Sequence, residues 1–208
     1  VGLQETISYP LITLESLKQC VPLLDEQIPL QVANPMNAEQ EYLRPSLRPS
    51  ILQTLQYNQT HTDTETPIRL FESGRVFLQN KPNLPREKDM IVGVISGPLT
   101  PPSWITSNNN SDFFDLKGLV HAGLQKVGIN ETYETHSEMC FKESCCARIL
   151  VNGSEVGVIG ELSESVINAF DIRTPNAILF ELDLETILRS QRTSTWAFNP
   201  LSRFPTAK

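Results

Sequence analysis

No run of about 18 apolar residues that could cross a bilayer occurs in these 208 residues, and no charged-then-apolar leader opens them. A cytoplasmic protein without membrane contact is the expectation. Basic charge is also scarce. With Lys+Arg 17 against Asp+Glu 24, the net charge is −7 and the pI near 5.0, which argues against a surface that grips nucleic acid by its phosphates. Neither Gly-x-Gly-x-x-Gly nor a P-loop is present to cradle a nucleotide, and Gly153, Gly157 and Gly160 have the wrong spacing for either. A Gly-x-Ser-x-Gly nucleophile elbow is missing too, and the three histidines have no evident nucleophile beside them.

What remains is an ordinary globular composition, 39% hydrophobic and 20% charged, long enough for one well-buried domain. Four cysteines, Cys20, Cys140, Cys145 and Cys146, are expected as free thiols, since two are adjacent and no leader directs the chain to an oxidising compartment. His136, Cys140, Cys145 and Cys146 can be written as a metal cluster. Zinc ligands usually come as separated pairs, however, and cysteines on a strand edge are the plainer reading. Asn-x-Ser/Thr triplets at Asn58, Asn109, Asn130 and Asn152 accept glycans only in a secreted protein.

The chain is organised around residues 34–78. A tandem repeat, Leu43-Arg44-Pro45-Ser46 and Leu47-Arg48-Pro49-Ser50, cannot lie inside one helix, because each proline removes a backbone donor and clashes one turn back. Pro49 therefore belongs in a first turn, with Ile51, Leu52 and Leu55 at helical spacing and Asn58 ending the run. Ile68–Leu78 reads as a strand interrupted by Gly74.

Elsewhere, residues 2–10 read as a strand with turn residues at its end, Leu14–Leu24 as a helix capped by Thr13, and Ile28–Val32 as a strand. A loop over 79–89 leads to an apolar strand, Met90–Ser96, and a second loop over 100–111 contains Trp104 as a packing anchor. Asp112–Val127 is the clearest helix. Ser111 or Asp112 caps it, Asp115 stands in the first turn, and Leu116, Leu119, Val120, Leu124 and Val127 form its apolar stripe, leaving His121 structural or solvent-facing. Asn152-Gly153 joins Ala147–Val151 to Glu155–Ile159 as a hairpin. A short helix at Ser163–Ala169, a strand at Ile178–Leu184 and a helical turn at Glu185–Leu188 follow. Strands with helices between them predict an α+β fold, a largely antiparallel sheet flanked by helices.

Several ordered motifs carry a family resemblance: Asn34-Pro35, then Glu41-x-x-Arg44-Pro45-Ser46-Leu47-x-Pro49, Tyr57-Asn58, and Arg69-Leu70-Phe71-Glu72-x-Gly74-Arg75-Val76-Phe77. They continue through 112–118, 151–162, 180–184 and 201–205. Together they resemble the synthetase-like core of the β chain of bacterial phenylalanine–tRNA ligases. The resemblance implies a fold like that of class II aminoacyl-tRNA synthetases over 1–200, and at 201–208 the start of a linker to a C-terminal anticodon-binding domain absent here. It also implies that the chain is a piece of a longer protein.

Class II enzymes hold ATP with a strand reading Phe/Tyr-Arg-x-Asp/Glu, and with a glycine-spaced strand leading into Glu-Arg. Here the first signature falls on Phe77-Leu78-Gln79-Asn80, where Leu78 replaces the arginine and Asn80 the acid. The second falls on residues 180–186, where Glu181 and Asp183 replace glycines and Thr186 the arginine. Each carboxylate beside a phosphate would cost about 4 kcal/mol at ~4 Å and an effective dielectric near 20, so the pocket is expected to reject nucleotides. Arg44, Arg48, Arg69 and Arg75 are expected to pair with carboxylates such as Glu41 and Glu72, or to line an interface, rather than to bind phosphate. Glu181 and Asp183 share a strand face, expected to be exposed or paired at an interface.

The resemblance thus implies a non-catalytic domain with no catalytic, cofactor or metal residue of its own. In the family, the α chain attaches phenylalanine to tRNA with ATP and Mg2+, in an assembly of two α and two β chains. This domain would hold the α chain, and tRNA would meet it only through the whole enzyme. Two rivals are a free-standing adenylate-forming enzyme, and a metal-dependent hydrolase built on Glu181, Asp183 and the residues from His136 to Cys146.

Overall fold

A computed structural model describes residues 2–22, 29–35, 37, 40–63, 66–80, 83–101, 103, 109–174 and 176–190. The elements run β1 (Gln4–Glu5), β2 (Leu11–Ile12), α1 (Leu14–Cys20), β3 (Leu30–Gln31), β4 (Tyr42–Leu43), α2 (Arg48–His61), β5 (Ile68–Leu78) and β6 (Arg86–Ser96). They continue as α3 (Phe113–Lys126), β7 (Glu131–Thr135), β8 (Phe141–Val151), β9 (Ser154–Leu162), α4 (Glu164–Ala169), β10 (Ala177–Asp183) and α5 (Leu184–Ser190). Seven strands form one sheet in the order β1-β5-β6-β10-β9-β8-β7, and β2-β4-β3 make a small second one. Every pairing is antiparallel except β1 with β5. The fold is the expected α+β, a largely antiparallel sheet flanked by helices.

The central strand shows why helices cover both faces. All seven residues of β10 are buried. Alternation along a strand sends Ile178, Phe180 and Leu182 to one face, where they meet α3 and α5, and Ala177 and Leu179 to the other, where they meet α1, α2 and α4. Glu181 and Asp183 share the second face by the same parity. Ile51, Leu52 and Leu55 of α2 are fully buried against it, each contributing about 1.5–3 kcal/mol relative to exposure.

Local signals placed several elements. Asp112 caps α3 in a reciprocal capping box with Asp115, and Thr13 accepts from the Ser16 N–H at the start of α1. Asn152 and Gly153 take φ of 51° and 78°, as a tight hairpin turn requires.

Other boundaries moved. Only Gln4–Glu5 of the first strand pairs. α1 stops at Cys20, because Val21 precedes Pro22 and is held extended. Asn58 does not end α2: its Nδ2 donates back to the Thr54 carbonyl at 2.8 Å, and the helix runs on to His61. β6 starts at Arg86, where Arg86–Asp89 pair with Arg75–Leu78; these residues are polar because this end of the hairpin faces solvent. The buried stripe of α3 ends at Leu124, with Val127 44% exposed. The third strand narrows to Leu30–Gln31. Ile28, Trp104 and 201–208 lie outside the described residues.

Gly74 does not interrupt β5. A Cβ there would lie 2.4 Å from Arg44 Nη2, so the missing side chain makes room for a guanidinium. Arg44 Nη1 reaches Glu72 Oε1 at 2.7 Å with both side chains buried, and its Nε donates to the Arg75 carbonyl at 3.1 Å. Cys20, Cys140 and Cys146 lie in the core rather than on a strand edge; Cys145 alone is half-buried. Burial pushes the Cys140 thiol up to about 12 and the Cys146 thiol up to about 11.

Two outcomes are expected. Gly74→Ala should overpack the Arg44 pocket and lower stability by about 1–3 kcal/mol in urea unfolding. A colorimetric disulfide reagent should modify Cys145 in the native chain, and the other three thiols only after unfolding.

Candidate functional site

The two halves of the proline repeat serve two strands. Arg44 precedes α2 and pairs with Glu72 of β5, whereas Arg48, the first residue of α2, pairs with Glu181 of β10 through Nε at 2.8 Å. Both glutamates stand opposite Val92 of β6, so they share one rung and one face of the sheet. The repeat therefore fastens the start of α2 across three strands by two buried ion pairs.

Glu181 also takes the place of a helix cap. Leu47 offers α2 no side-chain cap, but its N–H donates to Glu181 Oε1 at 2.9 Å, and Ser46 Oγ donates to the same oxygen at 2.8 Å. A carboxylate at a helix N-terminus also meets the positive end of the dipole. Arg48 continues outward to Glu138, donating from Nη1 to Oε1, and stacks over the Phe141 ring at 5.4 Å. Burial works against the charge on Arg48, but the carboxylates of Glu181 and Glu138 outweigh it and hold the guanidinium protonated.

Asp183 is likewise committed. It accepts from the Thr186 N–H at 3.1 Å, from the Thr186 hydroxyl, and from Lys88 Nζ at 2.7 Å. It is the N-cap of α5. Burial raises its pKa, and the bonds from Lys88 and Thr186 more than offset this and hold the carboxyl below its ordinary value. Asp183 and Thr186, at two of the altered signature positions, thus form a single cap. At the other signature, Phe77 N donates to the Arg44 carbonyl at 2.9 Å and Asn80 Nδ2 to the Leu84 carbonyl at 3.5 Å.

The four arginines do not converge. Arg44 and Arg48 are consumed on the α2 face; Arg75 lies on the opposite face with Glu87 and Asp89, and Arg69 donates to the Leu99 carbonyl. Glu41 accepts from Gln31 rather than from an arginine. Glu181 and Asp183 are buried, not exposed. The residues that can be written as a metal cluster are divided among the core, with Cys140 and Cys146, half-buried Cys145, and His136, whose Nδ1 accepts from Arg148 Nε at 3.2 Å. Among the described residues no three His, Cys, Asp or Glu side chains come together as a metal site. His121 is exposed and pairs with Glu131 at 2.7 Å.

Over this network lies a polar cleft of about 670 Å³, with Arg48, Lys88, His136, Glu138, Arg148 and Glu155 among its lining. Lys88, in the expected loop over 79–89, stands in β6, and Glu138, not among the expected site residues, pairs with Arg48. Lys88 shares a strand face with Met90 and Val92 by its i, i+2, i+4 spacing, the one signal in the sequence for its place. An apolar cavity of about 550 Å³ lies on the other face, between α3 and α5.

Among solved structures, the fold is similar to that of PylSc, a pyrrolysyl tRNA synthetase of Desulfitobacterium hafniense, with a TM-score of 0.65 at 15% identity over 90% of this chain and 62% of that one. The fold is thus of the class II synthetase kind. The chain is 32% identical over 98% of its length to the phenylalanine–tRNA ligase beta subunit of Dehalococcoides mccartyi strain CBDB1, and 30% identical over 98% to that of Halalkalibacterium halodurans. It spans about a quarter of the length of these relatives, 25% in each case. No described helix is long and apolar enough to cross a membrane. The family model for the phenylalanyl tRNA synthetase beta chain CLM domain matches residues 1–184, and the chain belongs to that family.

Proposed function

We propose that this chain is a non-catalytic, synthetase-like scaffold that holds the catalytic α chain of phenylalanine–tRNA ligase. The observation that carries the reading is the commitment of Glu181, Asp183 and Thr186: where a class II site would receive ATP, the side chains cap two helices and neutralise Arg48 and Lys88. The arginines that the two signatures would aim at a leaving pyrophosphate, which activation of an amino acid would need, are replaced by Leu78 and Thr186. On this reading, residues 1–200 are the core domain, 201–208 begin a linker to an anticodon-binding domain, and no residue here is catalytic, cofactor-binding or metal-binding. ATP and Mg2+ serve the whole enzyme, tRNA is met through it, a second αβ unit completes the assembly, and its place is the cytoplasm. Nothing observed favours an adenylate-forming enzyme or a metal hydrolase.

A docking surface is available at the β1 edge. The backbone of residues 4–6 runs along β5, with Thr6 N donating to the Phe71 carbonyl at 2.8 Å, and just beyond it Ile7 is 92% and Tyr9 75% exposed. Large apolar side chains beside a sheet edge suit burial by a partner.

Calorimetry should detect no ATP binding at millimolar nucleotide; tight binding would overturn the reading. Light scattering after size exclusion should show a mixed complex of the full-length β chain with its α chain. Ile7→Asp combined with Tyr9→Asp should weaken that complex about tenfold or more, with the circular dichroism spectrum unchanged.

A further inference from the structure

The apolar stripe of α3 has a gap in it. Leu116, Val120 and Leu124 recur at helical spacing and are buried, and Gly123, two turns after Leu116, stands where the stripe calls for another large side chain. Glycine inside a helix weakens it relative to alanine, and no local geometry requires it here. Its φ is not positive, and a Cβ at this place would meet nothing within 4 Å. The space over Gly123 is the apolar cavity of about 550 Å³ between α3 and α5. Phe180, Leu182 and Ile187 form part of its wall, and no charged side chain lines it among the described residues. Leu188, which also lines it, is 66% exposed. An open groove of this kind calls for an apolar cover.

Two features favour a cover supplied by the same chain. The first is reach. Leu184, Ile187 and Leu188 of α5 line the cavity, and residues 191–208 follow directly on the last residue of that helix, Ser190. Residues 191–195 are all polar or charged and, extended, span about 17 Å. The 7 residues of α5 are only about 10 Å long, so the chain beyond them can return along the helix to the cavity. The second is chemistry. Trp196-Ala197-Phe198 comes next, and in an extended segment its two rings lie on one side. Large aromatic side chains supply the apolar area that an uncharged groove can bury.

We propose that Trp196 and Phe198 turn back over α5 and fill the cavity above Gly123, so that the domain itself fixes the point from which its chain leaves. The gap in α3 is then the space reserved for these rings. The inference goes beyond the scaffold reading and does not rest on it.

The test is hydroxyl-radical footprinting of the full-length β chain, read by mass spectrometry on the peptide that holds Trp196. Oxidation of Trp196 should be slower than in the urea-unfolded chain by about fivefold or more. Gly123→Phe puts a ring into the cavity from α3 and should raise the oxidation to near the unfolded rate, with the circular dichroism spectrum unchanged. Gly118→Phe is the control. Gly118 lies on the same helix with open space around it but does not line the cavity, so Trp196 should stay protected. Trp196 oxidised as fast in the folded parent as in the unfolded chain would overturn the proposal, and so would protection that survives Gly123→Phe. Equal exposure by Gly118→Phe would mark an effect on the helix and overturn it as well. An exposed Trp196 in the parent, together with weaker association of Gly123→Phe with the α chain, would give the cavity to that chain and overturn docking of the segment.

Discussion

The contact on which the rest of the structure depends is the one between Glu181 and the start of α2. One carboxylate in the middle of the sheet accepts from the Ser46 hydroxyl, the Leu47 N–H and Arg48 Nε. Fully buried charges are costly to desolvate, and a buried ion pair often adds little net stability over well-packed apolar residues. What it does add is position. A carboxylate with three directional donors admits one placement of the helix N-terminus, whereas Ile51, Leu52 and Leu55 would tolerate sliding over the strands.

The same contact governs the chemistry of the cleft. A class II site needs that part of the strand open, so that a nucleotide can approach the backbone. Here side chains fill the approach and are neutralised from within, by Arg48 for Glu181 and by Lys88 and Thr186 for Asp183. The two carboxylates are therefore not bare, as the sequence alone would suggest, but paired and hydrogen-bonded. Glu181 and Asp183, standing where the class II pattern has glycines, each serve a helix N-terminus, so these polar groups support the fold.

Glycine plays the complementary part. At Gly74 the absent side chain admits Arg44, and at Gly157 a Cβ would lie 2.1 Å from the Glu181 carbonyl. Both keep backbone and ion pair close on the face that carries the cleft. Neither sits in a phosphate loop, and neither has a positive φ. Their constraint is space.

Local rules by themselves determined much of this protein. The bounds of β5 at Ile68–Leu78, the Asp112–Asp115 capping box, the Asn152-Gly153 turn and the cap at Thr13 depend on residues within a few positions of one another, and all were legible. The ordered motifs fixed the family. Only the tertiary structure decided the fate of the charged residues. Arg48 finds Glu181 133 positions away, and Arg44 finds Glu72 28 positions away, in a rung whose register no local pattern specifies. For the same reason Glu181 and Asp183 could be seen to share a strand face but not to be buried. Lys88 shares the parity of Met90 and Val92, but the polar residues 86–89 around it read as loop because that end of β6 faces solvent. Periodicity reports which side chains leave water, and the pairing of the charges that leave with them is settled only when distant strands come together.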